Sequence, residues 1–174
     1  MPPDPEIFAL AQQVGEQLRR QGRSLAVAES CTGGLLGAAL TDVPGSSAYF
    51  LGGVISYADR VKVEQLQVPE ATLRQYGAVS QEAAAAMATG VRQLLRADIG
   101  VSITGVAGPD AEGATPVGLT FIGIAAPTLP SPASGGGKPM AVTTHRFQWT
   151  GDRWDNRRRS VIAALELLVQ TLGR

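Results

Sequence analysis

One cysteine, Cys31, and one histidine, His145, occur in 174 residues. A single thiol excludes an internal disulfide, and one Cys with one His cannot supply the ligands of a structural zinc site. A chain without crosslinks points to a reducing, cytoplasmic setting. Basic and acidic residues balance at fifteen each, so no global field draws the chain to nucleic acid or an anionic membrane. Aromatics at 5 % leave little for bases to stack on, which makes direct DNA binding the weakest of the function classes. No apolar run is long enough to span a bilayer, and Met1-Pro2-Pro3-Asp4-Pro5 has neither the basic nor the apolar stretch of an export signal. What remains is a soluble chain long enough to bury a core unaided, expected as one domain over residues 1–174. Its initial methionine fits a stand-alone protein.

Glycine, by contrast, is plentiful and sits after apolar runs. Leu25-Ala26-Val27-Ala28 leads into Glu29-Ser30-Cys31-Thr32-Gly33-Gly34, and Leu35, Leu36, Ala39 and Leu40 then recur at helical spacing. A strand, a turn and a helix start fall within a dozen residues. Unpaired N–H groups at such a helix start can hold an anion, and Ser30, Cys31 and Thr32 put hydroxyl and thiol groups on the turn. An ordinary strand–helix turn with a Thr cap has the same pattern.

Asp4-Pro5 opens a helix that Gly22 ends. The spacing predicts strands over 24–28 and 53–57, with a helix starting at Ala58 that carries Lys62. A short helix runs from Pro69 to Gly77, and Ser80 caps a helix from Gln81 to Arg96. Asp98 to Ile103 reads as a strand running into a second glycine-rich loop, Thr104 to Asp110. Val117 to Ala126 and Ala141 to Trp149 read as a hairpin around a flexible Pro-, Ser- and Gly-rich loop, 127–139, and Gly151-Asp152 starts the last helix. Strands alternating with helices predict a three-layer α/β/α sandwich with a mixed, mostly parallel sheet. Ligands gather at the carboxyl ends of strands in such sheets, which selects Ser30 to Gly34, Tyr57 to Lys62 and Thr104 to Asp110.

Familiar catalytic patterns fail: there is no G-x-S-x-G elbow, and the only histidine lies mid-strand, away from these loops. Serine with lysine remains. Lys62 could act as general base on Ser30, with Tyr57 relaying or orienting the proton, a chemistry suited to acyl transfer. Lys62 as a solvated surface residue is the competing reading. Arg153, Arg157, Arg158 and Arg159 crowd the first turns of the last helix, where the dipole disfavours cations. Such arginines suit either a phosphate group or pairing with nearby acids.

Six co-linear motifs, Ala28-Glu29-Ser30-Cys31-Thr32-Gly33-Gly34, Pro44-Gly45-Ser46-Ser47, Gly52-Gly53-Val54-Ile55-Ser56-Tyr57, Gly77-Ala78-Val79-Ser80, Thr104-Gly105-Val106-Ala107-Gly108-Pro109 and Gly151-Asp152-Arg153, closely resemble the CinA C-terminal domain family. The resemblance runs from about Glu6 to Leu172. It implies a cofactor-independent, metal-free amidohydrolase that converts nicotinamide mononucleotide to nicotinate mononucleotide and ammonia in pyridine nucleotide recycling. It carries the nucleophile onto Ser30 and a lysine onto Lys62, with Tyr57 beside them. Backbone donors at Thr32, Gly33 and Gly34 are candidates for an oxyanion or phosphate, Ser47, Thr104 and Gly105 for substrate contacts, and Arg153 for the phosphate. The expected partner is that small molecule, without nucleic acid or membrane, and the expected assembly is a homo-oligomer, a dimer. Family members commonly carry Glu-Lys-Pro-Val-Gly where this chain has Ala114-Thr115-Pro116-Val117-Gly118. Two other readings stay open: a non-catalytic nucleotide- or protein-binding module of the competence and DNA-damage response, and Cys31 as the nucleophile.

Overall fold

Asp4 sets the first helix. Its carboxylate accepts the N–H groups of Glu6 and Ile7 at 3.1 and 3.2 Å, Pro5 occupies the first helical position, and left-handed Gly22 closes the helix α1, Pro5–Gln21. The computed structural model describes residues 3–127 and 140–173. The loop expected over 127–139 therefore lies, beyond Pro127, outside the described residues.

Five strands form one sheet: β1 (Leu25–Glu29), β2 (Phe50–Ile55), β3 (Ile99–Gly105), β4 (Leu119–Pro127) and β5 (Met140–Gln148), in the spatial order β2-β1-β3-β4-β5. β1 pairs in parallel with both β2 and β3, whereas β4 is antiparallel to both β3 and β5. Four strands thus point one way and β4 reverses, as the expected hairpin requires. Every residue of β1 is buried, the mark of a central strand covered on both faces.

Side chains alternate across that strand and divide the core. Leu25 and Val27 face α1, α2 (Leu35–Thr41) and α6 (Arg153–Leu172), while Ala26 and Ala28 face Leu66 of α3 (Asp59–Leu66) and Met87 and Val91 of α5 (Gln81–Leu94). α4 (Glu70–Tyr76) packs beside α5. The result is the three-layer sandwich with a mixed sheet. α5 lies close against it because the facing positions are small: a Cβ on Gly100 would collide with the carbonyl of Ala88, one on Gly123 would come within 2.5 Å of that of Ala84, and Ser102 Oγ donates to Ala84 O at 2.6 Å.

Most boundaries move by one or two residues, and two differences bear on the site. β2 begins at Phe50 rather than Gly53, with a register shift opposite Leu25 and Ala26, and β3 runs on through Thr104 and Gly105, which sequence places in a loop. Hydrogen bonding to β4 extends β3 by those residues. Glu29 stands opposite both Ile55 and Ile103, so the segments that follow all three parallel strands leave the sheet at one end. Among the described residues no helix is long and apolar enough to cross a membrane.

Candidate active site

Glu29 ends β1 buried, and its carboxylate turns to the start of α2, accepting the N–H groups of Gly34 (3.1 Å), Leu36 (3.1 Å) and Gly37 (2.8 Å). The helix's free donors therefore already have an anion. Gly33 N–H donates to Ser30 O at 3.1 Å. The Gly33 and Gly34 amides, candidates for holding an oxyanion or phosphate, both donate within the turn itself. Thr32 is fully buried; its carbonyl accepts from Arg157 Nη2 at 2.8 Å and its hydroxyl has no partner among the described residues.

These bonds fix Ser30. Its N–H donates to Ile103 O at 2.9 Å, joining the turn to β3. Ser30 is 8 % exposed, and its hydroxyl, without a hydrogen-bond partner among the described residues, borders a cleft of about 340 Å³. Cys31, Tyr57, Gly105 to Gly108, Asp110, Glu112 and Arg153 form the other walls. Arg153 Nη1 donates to Gly108 O at 2.6 Å and Nη2 to the exposed Tyr57 hydroxyl at 3.3 Å, so the guanidinium bridges the segments after β2 and β3.

Lys62 is 1 % exposed, not a solvated surface residue. Its Nζ donates to Ser56 O at 3.0 Å, Asp59 Oδ1 at 3.1 Å and Tyr57 O at 3.5 Å. Those three oxygens match the three hydrogens of an ammonium. Ser56 follows the β2 residue opposite Glu29, and its N–H donates to Glu29 O at 2.7 Å, so Lys62 is anchored one strand over from Ser30. No hydrogen bond joins Lys62 to Ser30 among the described residues, and Lys62 does not line the cleft.

Other candidates fall outside the cleft. Thr104 is buried, with Oγ1 donating to Ala78 O at 2.7 Å, which ties β3 to the segment before α5. Ser47 is exposed on a short 3-10 turn, Ser46–Ala48, that precedes β2, at the opposite end of the parallel sheet from Ser30. Strand direction sets this place: the connection from α2 into β2 returns to the amino ends. Gly105 does border the cleft, and a Cβ there would come within 2.6 Å of Leu119 O.

The four arginines of α6 separate by function. Arg158 pairs with Asp4 and Glu6, each at 2.7 Å, and Arg159 with Asp155 at 2.6 Å. Arg157 stacks over Trp154 and binds Thr32 O. Only Arg153 of the four borders the cleft.

Asn156 was not marked by its sequence context. It is 1 % exposed, donates to Ala107 O at 3.0 Å and Gly151 O at 2.9 Å, and accepts Gly151 N–H at 3.0 Å. It fastens the loop after β3 to α6; its spacing of three from Arg153 is the signal that could have found it. Burial pushes the Cys31 thiol up to about 11, which keeps it protonated near neutrality and disfavours it as the nucleophile. His145 lies in a separate hollow with Arg23 and Thr171, so it cannot complete a triad with Ser30.

The CinA C-terminal domain model matches residues 7–172. A CinA-like protein of Microcystis aeruginosa is 49 % identical over 160 residues, 91 % of this chain and 36 % of its own. This chain spans about a third of the length of the curated relatives it matches. Among solved structures, the competence/damage inducible protein CihA from Agrobacterium tumefaciens is 34 % identical with a TM-score of 0.87 over 100 % of both chains. A competence-damaged protein (CinA) superfamily protein from Klebsiella pneumoniae is 33 % identical with a TM-score of 0.85, covering 96 % of this chain and 98 % of that one. A family match over nearly the whole length, with a common fold and the serine turn at its strand end, means that the chain belongs to the CinA C-terminal domain family.

Proposed function

We propose that this chain is an amidohydrolase that converts nicotinamide mononucleotide to nicotinate mononucleotide and ammonia, with Ser30 as nucleophile. The observation that carries the reading is the unpartnered Ser30 hydroxyl, nearly buried at a cleft that also holds the Arg153 guanidinium. A hydroxyl held by backbone on both sides, yet left without its own hydrogen bond, is available for attack.

Ser30 Oγ attacks the carboxamide carbon and gives up its proton. The amide nitrogen leaves as ammonia after taking a proton, and water then cleaves the Ser30 ester to release the carboxylate and restore the hydroxyl. Lys62 is the proton carrier in this scheme. In its neutral amine form, with two hydrogens and a lone pair, Lys62 releases one of its three oxygen contacts, turns the lone pair to Ser30 and takes its proton, a movement of one flexible side chain. The ammonium so formed then protonates the leaving nitrogen. Arg153, held by Gly108 O and Tyr57, faces the substrate phosphate.

The engagement of Lys62 with Ser56, Tyr57 and Asp59 favours a second reading, a nucleotide- or protein-binding module without turnover. Ammonia release from nicotinamide mononucleotide by folded protein, with nicotinamide riboside as the phosphate-free comparison, separates the two. The amidohydrolase reading expects release that falls at least about tenfold without the phosphate. No release from either compound supports the binding module instead.

A further inference from the structure

The Ser30 cleft carries both signs of charge, and they do not neutralise one another. Asp110 and Glu112 border it together with Arg153. Arg153 donates to the carbonyl of Gly108, two residues before Asp110, yet among the described residues it pairs with neither carboxylate. Nor does either carboxylate accept a hydrogen bond or an ion pair from another described residue. The segment from Val106 to Gly118 contains no lysine or arginine, so its own charge is that of these two acids. Glu112 is presented on a small closed turn, with its N–H donating to Thr115 O at 3.1 Å and its carbonyl accepting Thr115 N–H at 2.9 Å. The same cleft is bordered by the nearly buried Ser30, whose hydroxyl has no partner among the described residues, which marks the cleft as a ligand site.

We propose that Asp110 and Glu112 are specificity-determining residues that select a positively charged heteroaromatic ring in the Ser30 cleft, while Arg153 takes the anionic end of the same molecule. The inference rests on the amidohydrolase reading and assigns residues of this chain to the two charged ends of its substrate, the cationic pyridinium and the phosphate joined to it through a sugar. Asp110 and Glu112 are both exposed, so water screens each of them in part, but two like charges bordering one cleft add their attraction for a cation held there. A neutral ring of the same shape receives no such attraction. The 1,4-dihydropyridine form of the mononucleotide keeps the sugar, phosphate and carboxamide and loses only the ring charge. It isolates the contribution.

The test is calorimetric binding of the oxidised and 1,4-dihydro forms of nicotinamide mononucleotide to the Ser30→Ala chain, repeated with Asp110→Asn and Glu112→Gln added together. Ammonia release by the Ser30-intact protein is read separately. The oxidised form is expected to bind on the order of tenfold more tightly than the reduced form, and the double substitution to bring the two within about threefold by weakening the cation alone. A merely structural role for the acids would weaken both forms alike and leave their ratio unchanged; that result overturns the proposal, as does equal binding of the two forms before substitution. Absence of ammonia release overturns the amidohydrolase reading by itself, and the binding ratio still decides the charge selection.

Discussion

Glu29 Oε1 lies 2.8 Å from the backbone nitrogen of Gly37, and Oε2 reaches Gly34 and Leu36, so a buried side chain of β1 caps the helix that follows it. Capping by an acid one residue before Ser30 couples the serine turn to the start of α2. Glu29→Gln keeps the shape and one acceptor oxygen but loses the charge and sets an amide donor against backbone N–H groups. We expect it to lower stability by about 1–3 kcal/mol, measured as a shift in urea midpoint without a change in slope. An unchanged midpoint would mean that the cap contributes nothing.

Close contact between α5 and the sheet makes a sharper demand. Gly100→Ala places a methyl against the Ala88 carbonyl, which is backbone and cannot rotate away. A loss of about 1–3 kcal/mol is expected from overpacking. Thermal unfolding at wild-type temperature in this variant would show that the helix can shift without cost.

Asp4 joins α1 to α6 through Arg158, whose hydrogen bond holds the Asp4 carboxyl below its ordinary value of 3.8 despite the opposing effect of burial. A carboxyl more acidic in the folded chain stabilises it above the unfolded pKa, and the contribution is lost as pH falls through the folded value. Asp4→Asn keeps a good helix cap and removes the charge. The variant should be less stable by about 0.5–1 kcal/mol at pH 7, the gap closing as pH drops below about 4. Denaturant titrations at both ends of that range check the sign.

Cys31 is adjacent to Ser30 and borders the same cleft, but its thiol is pushed up to about 11 by burial. Only on the order of one thiol in a thousand is thiolate at pH 8. Alkylation by iodoacetamide should therefore be slow there and accelerate toward pH 11, and Cys31→Ser should retain ammonia release. Loss of release in that variant would move the nucleophile to sulfur.

Much of this arrangement is legible in the sequence because it is local. Asp4-Pro5 and Ser80 mark helix starts through their own side chains, and Ser30 to Gly34 marks a strand–helix junction through an apolar run followed by paired glycines. The rest depends on what lies across the fold. Ser47 sits in a motif as glycine-rich as the others, and only strand direction assigns it to the far end of the sheet. Arg153 and Arg157 to Arg159 look alike along the chain; the rotation of α6 about its axis, fixed by its docking on α1 and the sheet, sends one to the cleft and the others elsewhere. Lys62 is held largely by backbone carbonyls, which every sequence has. The acid Glu29 within an apolar strand gives no sign that its target is the next helix.

The most direct test of the account is the rate of ammonia release from nicotinamide mononucleotide by Ser30→Ala beside the wild type, both shown to be folded by their unfolding midpoints. A serine nucleophile predicts a fall on the order of 10³-fold or more. Release at the wild-type rate in Ser30→Ala would contradict it.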